Sequence, residues 1–273
     1  MKKIVLKVAY IGTAYHGFQR QPDLPTVESE LINALKEANI IESPREARFQ
    51  AAGRTDKGVH SLGNLVAFFT PYEVHVNQIN DILPRDIKVL ASASVYYGFK
   101  VRYPIRRYYR YILFDGDLDM ELMSLAASKF EGTHDFTNFS KRVERNPIRR
   151  IESVKIQGED DYYIIDVVGE SFLWQMVRKM VKVIADVGRG KIEPENVDEL
   201  LNPGERIHIE PMPPENLILM GLEYGVKIKF KEDEYAISSF KSMLDEEFLE
   251  YKKASIVRKV MRDSINNIIK QNN

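Results

Sequence analysis

The sequence predicts an α+β protein made of two successive units, each combining helices with a mainly antiparallel sheet. Two observations support this prediction. Segments of alternating apolar residues, typical of strands, recur between residues 3 and 222, and segments with apolar residues at helical spacing lie between them. Neighbouring strand segments follow one another as hairpins, which favours antiparallel pairing. The predicted divisions are 1–100, 101–225 and a charged extension over 226–273.

The first unit is predicted to begin with a strand over residues 3–11, where apolar side chains alternate. A helix follows Pro25, with Thr26 as its cap and apolar residues at helical spacing up to Ala38. The remaining elements are strands over 49–52 and 64–70, a short helix over 76–83 and a strand over 87–95.

The second unit is predicted to repeat this mixture, and its longest helix is the best defined. Over residues 172–187 the apolar side chains share one face, and Gly188 with Gly190 ends the helix. The other elements are a strand over 106–114, a helix over 120–130 that Gly132 stops, a hairpin of strands 148–156 and 162–168 around Gly158, a helix over 196–201 and a strand over 217–222. Beyond residue 226 we predict a hairpin and then a charged helix to Asn273.

The composition limits the class of protein. The chain has 273 residues, 44% of them hydrophobic, which is enough to bury a core. No run of eighteen apolar residues occurs, and Lys7 interrupts the apolar N-terminus, so we expect neither a membrane span nor a signal peptide. The absence of cysteine excludes disulfides and thiolate metal sites. We therefore expect a cytoplasmic protein without a membrane partner.

Charge is balanced overall but unevenly distributed. The chain has 39 basic and 40 acidic residues, which gives a net charge of −1. Residues 100–110 contain five basic residues and no acid, and residues 141–150 contain five with a single acid, Glu144. Acidic residues collect instead in 193–215 and 245–250. Either basic run alone is more typical of solvated surface, but segregated positive charge is also what nucleic-acid binding requires.

One segment carries a distinctive motif, AAGRTDKGVH at residues 51–60. A bare Asp-x-Gly is ordinary turn chemistry, but seven matching residues in order, over eight positions, are not. The segment resembles the G-R-T-D-x-G-V-H motif of the TruA family of tRNA pseudouridine synthases. Further segments resemble motifs of that family: GTAYHGFQRQ at 12–21, LPRDI at 83–87, RYYRY at 107–111, DFTNF at 135–139 and FLWQMVRKMV at 172–181.

This resemblance covers roughly residues 3–222 and implies both a fold and an activity. The implied fold is pseudouridine synthase-like, with a catalytic cleft between the two units. The implied reaction isomerises uridine to pseudouridine at positions 38, 39 or 40 of the tRNA anticodon stem-loop. Because that reaction involves no redox change and no external group, no cofactor and no metal are expected. The family further implies a homodimer with tRNA across both subunits.

Four catalytic residues are implied by the resemblance. Asp56 is the carboxylate of G-R-T-D, and it could attack C1′, attack C6 or stabilise positive charge at C1′. Arg178 of the M-V-R segment is its expected ionic partner, which would keep it charged in a water-poor site. Tyr109 is the active-site tyrosine, able to stack on the uracil or to remove its C5 proton. Arg54 is expected to help extrude the target base.

The remaining expected contacts are with the substrate. The loop near residue 20 and the strand over 106–110 are expected to touch the RNA backbone, and one of two leucines of the last strand, Leu217 or Leu219, is expected to pack beneath the base. The expected substrate-binding residues are Gln19, Arg20, Thr55, His60, Arg107, Arg110, Leu217 and Leu219.

Some alternatives stay open on the sequence alone. A non-catalytic RNA-binding protein with RRM-like units fits the basic strands with interleaved tyrosines but does not explain the GRTDKGVH segment. A related synthase with other RNA targets fits the motifs equally well. A small-molecule hydrolase has only the carboxylate in its favour. The chain also departs from the family at Asn216, where glycine is usual, which puts that loop's geometry in doubt.

Overall fold

The computed structural model describes residues 1–204 and 206–271, with side chains of the last helix up to Ile265. Glu205, one of the acidic residues noted above, lies outside the described residues, as do Asn272 and Asn273 at the end of the predicted charged helix. Within the described part, a single ten-stranded sheet runs through the molecule.

The strands of this sheet are β1 (Lys2–Tyr10), β2 (Gln50–Ala51), β3 (His60–Thr70), β4 (Ile87–Val95), β5 (Arg106–Leu113), β6 (Gly132–Asp135), β7 (Ile148–Gly158), β8 (Tyr163–Gly169), β9 (Leu217–Glu223) and β10 (Lys231–Glu232). The helices are α1 (Val27–Glu37), α2 (Val76–Asn80), α3 (Met120–Lys129), α4 (Met176–Gly188), α5 (Asn196–Leu201) and α6 (Glu234–Gln271).

Strand order is β10-β4-β1-β3-β9-β5-β8-β7-β6, with β2 paired to β3. Among the described strands only β3 and β9 run parallel, through His60 beside Ile218 and Ser61 beside Leu219. The predicted α+β class with mainly antiparallel pairing is therefore confirmed. The β3–β9 pairing joins the first unit to the second, so the sheet is continuous across residue 100 and the division there stays a prediction.

Two large hydrophobic cores lie on either side of this junction. The first packs α1 and α2 against β1, β3 and β4, around fully buried Leu6, Phe68 and Leu35. The second packs α3, α4 and α5 against β5, β7 and β8, around Tyr111 and Met180. Each core holds its own helices against the sheet. The loops that lie between the two cores are therefore attached to packed elements on both sides.

Local signals explain why α1 begins where predicted. The Thr26 hydroxyl accepts a hydrogen bond from the Ser29 backbone, and the Ser29 side chain accepts one from the Thr26 backbone. This reciprocal cap satisfies two backbone donors that a helix start leaves without partners.

The helix predicted over 172–187 begins four residues late, at Met176. Gln175 has φ +69°, a left-handed conformation that no α-helix continues through. Residues 172–174 are consequently outside the helix, and the predicted start of the helix at residue 172 was wrong. This correction moves Trp174 from a helix surface to a loop that borders the candidate site.

The segment beyond residue 226 also differs from its prediction. In place of a hairpin, β10 pairs antiparallel with β4, with Lys231 opposite Ser92. Helix α6 then extends over 38 residues, and its first turns bury Phe240 and Met243 against the sheet. Within the described residues, no helix is both long and apolar enough to cross a membrane.

Gly63 provides a test of the junction between β3 and β9. A Cβ at this position would lie 2.7 Å from the Met220 carbonyl oxygen and 3.0 Å from the Gly221 Cα. Gly63→Ala should therefore push the strands apart and lower the free energy of unfolding by about 1–3 kcal/mol, measured by urea denaturation. Gly221→Ala, on the neighbouring strand with open space around it, is the control. Equal stability of the two variants would contradict this account of the junction.

Candidate active site

The GRTDKGVH segment forms the turn between β2 and β3, and a buried asparagine fixes its start. Asn64 accepts a hydrogen bond from the Gly53 backbone and donates one to the Gly53 carbonyl, both at 3.0 Å. The Tyr10 hydroxyl lies 2.8 Å from the Thr55 hydroxyl. Because Asn64 and Thr55 are buried, these bonds anchor the backbone on either side of Arg54 in a water-poor setting.

His60 closes the other end of the segment. Its Nδ1 accepts a hydrogen bond from the Gly12 backbone at 3.0 Å, so its Nε2 carries the proton and donates to the Glu215 carbonyl at 2.8 Å. Burial lowers the pKa of His60, which favours the neutral ring that this pattern requires. His60 thus links three loops and is not among the residues that line the cleft, and its contact with substrate stays a prediction.

Asp56 and Arg178 meet across the junction of the two units. The Arg178 guanidinium donates to the Asp56 carboxylate at 3.2 Å and, through Nε, to the Met212 carbonyl at 2.6 Å. The Arg178 side chain is 9% exposed and that of Asp56 is 24% exposed, so one oxygen edge of the carboxylate still faces open space. The pair was predicted from the family resemblance, and the structure brings its members together.

Two opposing effects set the charge of Asp56. Burial raises the pKa of the carboxyl group above its usual range, and this is the larger effect. Arg178 opposes it through its charge and hydrogen bond, with smaller contributions from a hydrogen bond of Trp174 and the charge of Lys141. Burial therefore disfavours the carboxylate anion, and the cations around it partly oppose that effect.

Tyr109 lies on β5 with its ring beside this carboxylate. Phe172 contacts it edge-on, with ring centroids 5.1 Å apart and planes at 83°. Burial raises the pKa of the Tyr109 hydroxyl to about 12, so the group is protonated at neutral pH. A protonated phenol can donate a hydrogen bond and present a ring face, both of which suit a planar base.

These groups line a cleft of about 990 Å³. Of the twelve predicted site residues, seven border it: Gln19, Arg54, Thr55, Asp56, Tyr109, Arg178 and Leu217. The cleft is lined from both units, since β3 and its preceding turn supply the carboxylate while β5 and α4 supply the tyrosine and arginine.

The other predicted basic contacts have partners elsewhere. Arg110 lies on the opposite face of β5 from Tyr109, because side chains alternate along a strand, and it forms two hydrogen bonds of 2.7 Å with Asp166. Arg107 donates to the Glu170 carbonyl just after the end of β8, and burial lowers the pKa of its guanidinium. Neither residue borders the cleft.

Arg20 and Leu219 also lie outside the cleft. The Arg20 backbone donates to the Glu28 carboxylate at 2.8 Å, and its side chain lies 3.8 Å from the same group, on the outer side of the loop. Leu219 is fully buried within the sheet. Of the two leucines predicted beneath the base, only Leu217 borders the cleft.

The cleft includes residues that sequence reasoning did not select. Lys141, Arg142 and Trp174 border it. The basic run over 141–150 had been noticed, but nothing in the sequence related it to residue 174. Lys57 also lines the cleft, with its Nζ 3.4 Å from His16 Nε2. Among the described residues, no group of His, Cys, Asp or Glu side chains is arranged to hold a metal ion.

Comparison with known proteins identifies relatives of this chain. A family model described as tRNA pseudouridine synthase matches residues 7–104 and 126–225. The chain is 60% identical over 269 residues to tRNA pseudouridine synthase A of Methanothermobacter thermautotrophicus, with 98% of both chains covered. It is 48% identical over 257 residues to the protein of that name from Methanosphaera stadtmanae, with 91% and 93% covered. The resemblance predicted from the motifs is confirmed, and the 98% coverage shows that the first relative also shares most of the extension beyond residue 226.

Similarity to solved structures is weaker. A chain in the structure of an H/ACA RNP bound to a substrate RNA containing 2′-deoxyuridine is 14% identical, with a TM-score of 0.36. The match covers 65% of this chain and 44% of that chain. A likeness at this TM-score adds nothing to the family assignment.

The charge balance at Asp56 can be tested directly. Arg178→Gln removes the largest effect that opposes burial, so the pKa of Asp56 should rise further above its ordinary value. Carboxyl-carbon NMR titration measures this shift. Lys182→Gln is the matched control, because it also removes one cation from α4. Lys182 pairs with Asp186 outside the cleft, so its loss should leave the Asp56 pKa unchanged. An unchanged Asp56 titration in Arg178→Gln would contradict the assigned balance.

Proposed function

This chain belongs to the tRNA pseudouridine synthase family, a family of isomerases, and from that premise we propose that it converts uridine to pseudouridine in the tRNA anticodon stem-loop with Asp56 as its catalytic carboxylate. The observation that carries the proposal is the Asp56–Arg178 pair, a partly exposed carboxylate held charged in a cleft of about 990 Å³.

The reaction rearranges bonds within one nucleotide. The N1–C1′ bond breaks, the uracil turns, and C5 bonds to C1′; the proton on C5 leaves and N1 gains one. Three roles are open to Asp56: attack at C1′, attack at C6, or stabilisation of positive charge at C1′. Each role needs the ionised form. Because burial raises the pKa of Asp56, the ionised fraction falls at a higher pH than for an ordinary aspartate, and Arg178 limits that loss.

The walls of the cleft suit a flat pyrimidine. Tyr109 presents an aromatic ring on one side, fixed by its contact with Phe172. Leu217, almost fully buried, supplies an apolar surface that also borders the cleft. With a pKa of about 12, the Tyr109 hydroxyl is a better hydrogen-bond donor than base at neutral pH. Stacking and donation to the uracil are therefore the roles we assign to it first.

A uridine within a stem must leave its stack before it reaches Asp56, at a cost of a few kcal/mol. Arg54 is exposed at the mouth of the cleft, two residues from Asp56, and we assign it the role of guiding the extruded nucleotide. Gln19 and Thr55 complete the contacts of this wall. Their backbone is fixed by the Phe18 amide, which donates to the Thr55 carbonyl at 3.0 Å.

The finer parts of the proposal rest on the resemblance of the motifs. These are modification at positions 38, 39 or 40, a homodimer with tRNA across both subunits, and a cytoplasmic location. The chemistry supports a further part, that no cofactor takes part, because the rearrangement transfers no electrons and adds no group.

Asp56→Ala tests the reaction and the residue together. Wild-type protein should release tritium from tRNA labelled at uracil C5, since C5 loses its hydrogen when it bonds to C1′. Asp56→Ala should release none while still binding tRNA, because the substitution removes the reacting carboxylate but few contacts. Asp161→Ala, in the exposed turn between β7 and β8, is a matched control that should keep wild-type activity.

Two other outcomes would change the proposal. Binding without release by the wild-type protein would favour a non-catalytic RNA-binding protein. Release, with pseudouridine mapped outside positions 38–40, would identify a synthase with other RNA targets.

Salt dependence tests the nature of the substrate. If tRNA is bound through about six phosphate contacts, affinity should fall on the order of a thousandfold between 50 and 200 mM salt. Filter binding of Asp56→Ala, which cannot turn the substrate over, measures this without interference from catalysis. A flat response would exclude recognition through phosphates.

A further inference from the structure

Trp174 is the only tryptophan in the chain, and it lies at the edge of the cleft with 43% of its surface exposed. Two other rings that border the cleft, Tyr109 and Phe172, are less exposed and contact each other edge-on, so Trp174 offers the most open ring face there. Two cations lie close to the indole: Lys141 Nζ is 4.3 Å from the ring centroid and the Arg142 guanidinium is 5.9 Å from it.

The backbone holds this group in place before any ligand binds. The Lys141 amide donates to the Trp174 carbonyl at 2.9 Å, which ties the two segments together. Lys179, buried on α4, donates to the Ser140 carbonyl at 3.0 Å and so anchors the residue before Lys141. On the other side, the left-handed conformation of Gln175 turns the chain into α4 and leaves Trp174 facing the cleft.

The positive charges near Trp174 would favour the binding of an anion. Arg142 is held by Glu144 at 3.0 Å, whereas Lys141 lies over the indole ring, borders the cleft and makes a small contribution that lowers the pKa of Asp56. A cation beside the reacting carboxylate is also beside the sugar of the nucleotide that reacts, and therefore near the phosphates on either side of that sugar.

From this geometry we propose that Trp174, Lys141 and Arg142 form a second nucleotide subsite, which stacks the base next to the target uridine and contacts the phosphate between them. Base stacking on an exposed aromatic ring tolerates any base, because every base has a π-face. The two cations supply contacts to the backbone rather than to base edges. The subsite therefore holds the neighbouring nucleotide without reading its sequence.

With this subsite, the cleft can position an extruded uridine by holding the nucleotide next to it. No contact that depends on the identity of that neighbouring base is needed. Extrusion breaks the stacking of the target with its neighbour, and the indole replaces part of what is lost. The inference rests on the proposed function in taking an RNA substrate, but it does not depend on which atom Asp56 attacks.

The single tryptophan makes a direct test possible. Fluorescence of Asp56→Ala, titrated with an unmodified tRNA transcript, reports on residue 174 alone. Stacking of a base on the indole should quench the emission in parallel with binding measured on filters. Full binding with unchanged emission would overturn the subsite. Quenching without tritium release by the wild-type protein would keep the subsite and reject the proposed reaction, so the two failures are distinguishable.

Substitutions separate stacking from an effect on Asp56. Trp174→Ala should weaken tRNA binding and raise KM by roughly 5- to 150-fold. Trp174→Phe keeps a ring but loses the indole N–H, so its KM should stay close to wild type even if kcat falls. If both variants lower kcat equally with an unchanged KM, Trp174 acts only on Asp56 and the proposal is wrong.

The cations are tested through the salt dependence of binding. Lys141→Ala should make the slope of log affinity against log salt shallower by about one contact, and Arg142→Ala should do so by less, because Glu144 already pairs with Arg142. Arg145→Ala is the matched control, an exposed arginine of the same segment that does not line the cleft. An equal change in all three variants would mean that the whole basic segment attracts RNA diffusely, and would reject a phosphate contact at this subsite.

Discussion

The ion pair of Asp56 with Arg178 is the constraint on which the rest of the candidate site depends, because its members come from different units. Moving a carboxylate out of water costs several kcal/mol, so the charged form persists only where the partner is held in the correct geometry. That geometry is set by the parallel pairing of β3 with β9 and by the Met212 carbonyl, which holds the Arg178 guanidinium from behind. The fold therefore fixes the positions of these two charged side chains in addition to burying apolar surface.

The surroundings of the pair divide into groups that fix the backbone and groups that face the cleft. Asn64 and His60 belong to the first kind, since all of their side-chain hydrogen bonds go to backbone atoms around the site or to Tyr10. Tyr109 and Arg54 belong to the second kind. A family motif contains both kinds side by side, so a residue in the motif need not touch the substrate. His60 shows this, because it lies four residues from Asp56 and closes three loops without bordering the cleft.

The sequence predicted much of this arrangement because its signals are local. Thr26 capping α1, the alternation in β5 and the motif around Asp56 need only a few neighbouring residues. Other features depend on the tertiary structure. The residues around Gln175 are of types that are common in helices. Nothing local therefore indicates its φ of +69° or the loop that results. Similarly, β10 is only two residues long, and its pairing with β4 follows from the position of α6 rather than from its own pattern.

Charge was the least predictable property, because a basic residue in a sequence does not show its partner. Strand β5 suggested an RNA-binding strand, yet Arg106 pairs with Glu152 and Glu223 while Arg110 pairs with Asp166. Such partly exposed pairs contribute about 0–1 kcal/mol each to stability, but they neutralise charge that could otherwise attract phosphate. The positive charge at the cleft comes instead from loops, mainly through Arg54, Lys57 and Lys141, since Arg142 is itself paired with Glu144. Under the proposed function, contacts to phosphates would therefore come from these loops rather than from the outward face of β5.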